Sequence, residues 1–185
     1  MKTDYLKRIL TARVYDVAIE SPLERANGSS ELLKNNILLK REDLQPVFSF
    51  KLRGAFVKIN SLTAEEAARG VIAASAGNHA QGVALAAQLR GIRAVIVMPI
   101  FAPLTKVMAT RSYGAEVILH GQSFDDAAAH AQTLSLKYGY VMVHAFNDFA
   151  VMAGQGTAGL ELFEAVPELN TVVVPIGGGG LISGM

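Results

Sequence analysis

The stretch "VIAASAGNHAQGVALAAQLRG" (residues 71–91) sets the fold. It opens with a short apolar run, "VIAAS" (71–75), breaks at Gly77, and continues as a longer amphipathic segment that stops at Gly91. A short run with β-branched residues, a breaker and a helical segment together read as one strand–helix unit. The theme recurs downstream. "RAVIVMP" (93–99) precedes "PLTKVMATRSYG", "AEVILH" (115–120) precedes "SFDDAAAHAQTLSLKYG", and "YVMVHAF" (140–146) precedes "DFAVMAGQGTAGLELFEAVP". A last strand is predicted at "TVVVPI" (171–176), before "GGGGLISGM". Nearly continuous apolar strands alternating with helices predict an α/β protein, its parallel sheet flanked by helices on both faces. Gly91, Gly114 and Gly139 fall just past the periodic segments, where a left-handed backbone ends a helix cheaply.

The segment before residue 71 is less regular. A helix is predicted near 3–12, followed by two short strands within "SPLERANGSSELLKNNILLKRED", joined by a polar turn around Asn27 and Gly28. The charged runs "KRED" (40–43) and "DD" (125–126) read as a strand edge and a solvated first helical turn, with no chemistry assigned. With 185 residues, 51% of them hydrophobic, the chain can bury a substantial core in one large domain or two lobes. Seventeen basic and sixteen acidic residues leave a net charge of +1 without a basic cluster, so nucleic acid is not an expected partner. Cysteine is absent, which excludes disulfides, thiolate catalysis and Cys-ligated zinc. No signal-peptide pattern opens the chain and no run approaches ~18 apolar residues, so no membrane association and a cytoplasmic location are expected.

Three loops at predicted strand ends or helix starts carry candidate chemistry, since open α/β sheets place ligands there. The run Gly177–Gly180 lets backbone approach an anion and precedes a helical start at Leu181. It reads either as a phosphate cradle or as a flexible turn; it lacks the Gly-Lys-Ser/Thr of a nucleotide-binding P-loop. "SAGNHAQG" (75–82) opens a helix whose first amides could hold a carboxylate, with Ser75 and Asn78 adding side-chain bonds, or in which those side chains merely cap the helix. His79 alone is a helix-lining histidine rather than a metal ligand, because no second ligand has metal spacing. Lys51 sits between Phe50 and Leu52. It is either a solvated charge or, if buried, an amine of lowered pKa able to form a Schiff base.

"SFKLRGA" (49–55), "SAGNHAQG" and "PIGGGGL", in that order, resemble the fold-type II pyridoxal-phosphate enzymes, the tryptophan synthase β-like group. "LLKREDLQPVFSFKLRGAF" and "AGQGTAGLEL" resemble most closely its biosynthetic threonine deaminases. The likeness runs along the whole chain. It implies that Lys51 carries pyridoxal 5'-phosphate and acts as the general base, with Gly177, Gly178, Gly179, Gly180 and Leu181 holding the phosphate. Phe50 would pack near the pyridine ring, and Asn78 would bond its 3-hydroxyl. Ser75, Ala76, Gly77, Asn78 and His79 would surround the substrate carboxylate. The implied reaction is elimination of ammonia from L-threonine, or L-serine, giving 2-oxobutanoate or pyruvate, the first step of isoleucine synthesis. The similar serine racemases carry a serine where this chain has Ala76, which has no proton to give, so elimination is expected over racemisation.

The resemblance further implies three segments: 1–55 in a larger domain, 56–150 as a small α/β domain, and 151–185 returning to the larger one. A homo-oligomer is implied too. The closing unit stops before its helix can cover a sheet, which reads as an N-terminal fragment expected to hold the cofactor weakly and turn over poorly. A non-catalytic α/β module binding a nucleotide or phosphate is the reading from a different class, and a degradative serine/threonine dehydratase is the alternative within the family.

Overall fold

The computed structural model describes residues 4–185. Helix α1 (Tyr5–Leu10) is capped by Asp4, whose carboxylate accepts from the Lys7 N–H at 3.1 Å. The helix expected near 3–12 is thus present, residue 3 lying outside the described residues. Strands β1 (Leu23–Arg25) and β2 (Leu38–Lys40) pair antiparallel, Leu23 opposite Lys40. Their connection corrects the expected turn at Asn27 and Gly28: it is a helix, α2 (Asn27–Leu33). The Ser30 hydroxyl, nearly buried, accepts from the Ile37 N–H at 3.0 Å, so a tie from the helix to the residue before β2 folds the run back. That tie outweighs the turn propensity of Asn-Gly.

Helices α3 (Lys51–Asn60) and α4 (Ala64–Arg69) lead into the main sheet. From there strand and helix alternate: β3 (Val71–Ala74), α5 (Asn78–Leu89), β4 (Ala94–Met98), α6 (Leu104–Ser112), β5 (Glu116–Leu119), α7 (Phe124–Tyr138) and β6 (Val141–Met142). Helices α8 (Phe149–Ala165) and α9 (Gly180–Gly184) follow. The four strands form one parallel sheet in the order β5-β4-β3-β6. Successive side chains of a strand face opposite sides, and the core divides accordingly. Val71, Ala73, Ile96 and Met98 pack with α3 and α5 residues such as Phe56, Ile59 and Val83, while Ile72, Val95 and Val97 pack on Ala127 and Ala131 of α7. Both faces are therefore covered, as predicted, and each fully buried Val or Ile contributes roughly 1.5–3 kcal/mol. The predicted helix exits hold: Gly91, Gly114 and Gly139 take φ of +62°, +79° and +74°.

Two strand predictions need correction. Residues 171–176 belong to neither sheet and Val173 is 91% exposed. A strand exists only with a neighbour to complete its ladder, and no described strand lies alongside. The strand expected over 140–146 is paired only at Val141 and Met142. Its last ladder bond runs from Val143 N–H to Ile72 O at 2.9 Å, after which the chain leaves the sheet.

The strand order places the site. The chain runs from β3 outward to β4 and β5, then returns to set β6 on the other side of β3. The carboxyl ends of β3 and β6 thus flank a topological switch point, where open parallel sheets leave a crevice.

Candidate active site

Lys51 is the first residue of α3. Two close helix contacts hold that helix. Gly82 of α5 faces the Lys51 carbonyl, where an added Cβ would stand 3.3 Å from both its carbon and its oxygen. Gly54 and Gly154 meet where α3 crosses α8: a Cβ on Gly154 would lie 2.6 Å from the Gly54 Cα. The Gly154 contact needs glycine because backbone meets backbone, and the Gly82 contact is tight.

The Lys51 side chain is half-buried, and its Nζ donates to the Ala145 carbonyl at 2.7 Å. Among the described residues no carboxylate pairs with it. Burial without a counter-charge holds the amine below the ordinary lysine pKa. The Phe50 ring lies 5.4 Å from Nζ. These features favour the buried-amine reading of Lys51 over the solvated charge.

The loop after β3 lies at the crevice. Ser75 donates its N–H to Val97 O at 3.1 Å, extending the sheet by one bond, and its hydroxyl accepts from Gly77 N–H at 3.2 Å. Gly77 precedes α5, and among the described residues no side chain caps that helix. By contrast, Thr63, Ser123 and Asp148 cap α4, α7 and α8. Capping of α5 by Ser75 or Asn78 is therefore not what these residues do, and the first amides of α5 keep their donors free for an anion. His79 is buried at 3% exposure, its Nε2 2.9 Å from Val143 O. Burial pushes it down to about 4, against the opposing hydrogen bond, with Lys51 and His144 lowering it further.

The segment just past β6 ties these pieces together, and the sequence reading missed it. Val143 O meets His79, Ala145 O meets Lys51, and Phe146 supports the glycine turn. A Cβ on Gly180 would meet the Phe146 Cβ at 2.7 Å, and one on Gly178 would collide with the Phe146 ring. Gly179 takes φ +84°, and a Cβ on Gly177 would meet nothing within 4 Å, so the turn has one open side. The His144 Nδ1 accepts the N–H groups of Phe146 (3.2 Å) and Asn147 (2.9 Å), turning the chain toward Asp148. Only the position of 143–147 at a strand's carboxyl end could have flagged it.

The run "KRED", read as a strand edge with no chemistry assigned, also enters structural ion pairs. Lys40 ends β2 as expected, but its Nζ pairs with buried Glu161, and Glu42 binds Arg53 at 2.7 and 2.8 Å. Arg53, fully buried, also donates to Thr157 (3.1 Å) and to both oxygens of Glu161. Tyr15 completes the cluster with a 2.9 Å bond to Glu161. Asp125 and Asp126 are in the first turn of α7 as predicted, Asp126 closing a capping box with Ser123.

Residues 14–185 match the family described as pyridoxal-phosphate dependent enzyme, and the chain belongs to that family. It is 59% identical over 170 residues to L-threonine ammonia-lyase of Thermotoga maritima, covering 92% of this chain and 42% of that protein. Biosynthetic L-threonine dehydratase of Burkholderia multivorans is 53% identical over 186 residues, covering 98% of this chain and 37% of the relative. The processed form of threonine deaminase isoform 2 from Solanum lycopersicum superposes with a TM-score of 0.95 at 52% identity, over 97% of this chain and 50% of that one. The chain thus spans between a third and a half of the length of these relatives. The site fits the family's cofactor: an amine without a counter-charge beside an aromatic ring, and a glycine turn open on one side, meet on the single segment 143–146.

Proposed function

We propose that this chain carries the cofactor-holding part of an ammonia-lyase that converts L-threonine, and L-serine, to 2-oxobutanoate or pyruvate and ammonia, opening isoleucine synthesis. The observation that carries the reading is the Lys51 amine, half-buried without a carboxylate and donating to Ala145 O, next to the residue that seats the glycine turn. The identities to threonine dehydratases and ammonia-lyases support it. Pyridoxal phosphate supplies the sink for the electrons left when the Cα proton departs.

In this reading Lys51 Nζ first anchors the cofactor and then takes the proton from substrate Cα. Burial lowers its pKa below the ordinary lysine value, which makes the free amine a general base needs easier to reach. Amides of Gly177, Gly178, Gly179, Gly180 and Leu181 would hold the phosphate, Phe50 would pack near the ring, and Asn78 would hydrogen-bond its 3-hydroxyl. The loop Ser75–His79 holds the substrate carboxylate on the uncapped start of α5. Ala76 offers no proton to the opposite face of Cα, which favours elimination over racemisation. Residues 1–55 and 151–185 belong to a larger domain and 56–150 to a smaller one, and the whole protein works as a cytoplasmic homo-oligomer.

The test is reductive trapping. The full chain is incubated with pyridoxal phosphate, reduced with borohydride and mapped by peptide. Lys51 is expected as the main adduct, and labelling concentrated on another lysine overturns the reading. Release of 2-oxobutanoate against pyruvate by the whole protein then ranks threonine and serine.

A further inference from the structure

We propose that the His79 side chain is a positioning residue: its Nε2–H, held on Val143 O, sets the Ala145 carbonyl that receives the Lys51 amine. The inference rests on the reading of Lys51 as the cofactor-bearing amine, and it gives His79 a task distinct from contact with the substrate.

The backbone geometry makes such a tie necessary. β6 pairs only at Val141 and Met142, and the Val143 N–H makes the last sheet bond. The next anchor is Asp148, which caps α8. Between them, among the described residues, the hydrogen bonds reaching in from other elements are those of His79 to Val143 O and Lys51 to Ala145 O. The bonds of His144 to Phe146 and Asn147 and the packing of Phe146 on the glycine turn shape the segment from within and below, and His79 is the side chain that ties its start to α5.

The chemistry fixes the proton. Val143 O can only accept, so Nε2 carries the hydrogen and Nδ1 is a bare acceptor. Nδ1 is buried and has no partner among the described residues. A buried acceptor left unsatisfied is costly, so a histidine retained for packing alone would be a poor choice. A neutral donor in this place also adds no charge beside Lys51. The titratable groups acting on His79 are Lys51 from α3 and His144 from the segment itself. On α8, Asp148 is committed to Lys58 at 2.8 Å.

His79→Gln and His79→Asn separate the donor from the packing. The Gln amide reaches where Nε2 lies, whereas the shorter Asn amide reaches only the Nδ1 place, and both leave a polar group of similar character. Two readouts are taken on the full chain across pH 6–10. The first is competitive acetylation of Lys51 by acetic anhydride without cofactor, with the other lysines as internal controls. The second is the borohydride-fixed pyridoxal phosphate adduct. The expected result is that His79→Asn changes Lys51 acetylation and lowers its adduct by at least about tenfold, the scale of a misplaced catalytic group. His79→Gln should stay within about threefold of wild type, with the control lysines unchanged in both. Equal Lys51 behaviour in the two variants, whether retained or lost, overturns the positioning role. Failure of the wild type to form an adduct at Lys51 overturns the reading of the site instead, while acetylation still decides the part played by His79.

Discussion

Lys51 and Arg53 stand two residues apart on α3, and the fold treats their charges in opposite ways. Burial opposes the charge on both. Around Arg53 the hydrogen bonds of Glu42 and Glu161 more than restore it, and its pKa ends above the usual value. Around Lys51 nothing among the described residues restores it, and its pKa ends below. Arg53 forks onto two carboxylates in a closed cluster with Lys40, Thr157 and Tyr15. Lys51 has one neutral carbonyl in a crevice. The difference separates a compensated cation from an uncompensated one: what matters is whether the surroundings offset the charge, not whether the residue is buried.

Substitution can break that comparison from either end. Lys51→Ala is expected to have the largest effect, lowering 2-oxobutanoate release by the whole protein roughly 100- to 10,000-fold, the range of a lost general base. Its melting temperature should barely move, since the carboxylate cluster is untouched. Arg53→Leu should do the reverse in kind, costing about 3–5 kcal/mol in urea unfolding because Glu161 is left buried without its main partner. Arg53→Lys is expected to recover little of this, as an ammonium cannot fork onto both carboxylates.

The cluster also has a pH signature. Although burial raises it, Glu161 is held below its ordinary 4.5 by Arg53, Lys40 and Tyr15. Its contribution is therefore complete above that value and is lost as pH falls through the folded-state pKa. Denaturant midpoints of wild type and Glu161→Gln should differ most at neutral pH and converge below about pH 4.5. His79, pushed down to about 4 by burial, destabilises both proteins as pH falls below its ordinary 6.5. The gap between them isolates Glu161.

Two smaller changes sharpen the comparison. Gly154→Ala forces a methyl against the Gly54 Cα and the Arg53 backbone, displacing both cations at once. About 1–3 kcal/mol of stability should be lost, together with part of the Lys51 adduct yield; an adduct unchanged in that variant would separate α3 packing from the site. Arg93 and Glu116 form a 2.7 Å ion pair with both side chains about half exposed. Arg93→Ala should therefore cost only about 0–1 kcal/mol in the same unfolding measurement.

Much of the fold was readable because its signals are local. The β-branched runs of β3, β4 and β5, and the glycines at 91, 114 and 139, announce themselves within a few residues. The loop at 75–79 was readable in the same way, from residue type at a strand's end, and the glycine turn from its run of four glycines alone. Where the reading failed, a partner outside the local run, or the want of one, decided. Asn27 and Gly28 entered a helix stapled by Ser30 to Ile37, and 171–176 found no neighbouring strand. "YVMVHAF" kept its apolar character past Met142 but lost its ladder, and so became the connector that meets Lys51, His79 and the glycine turn.

The sequence by itself determined an α/β sheet, a candidate lysine and two candidate anion loops, because periodicity, β-branching and glycine placement act over a few neighbouring residues. Only the tertiary structure decided which cation is compensated. Arg53 reaches Glu161 across 108 positions and Lys51 reaches Ala145 across 94. Electrostatic compensation depends on distance in space, and a linear pattern does not carry that.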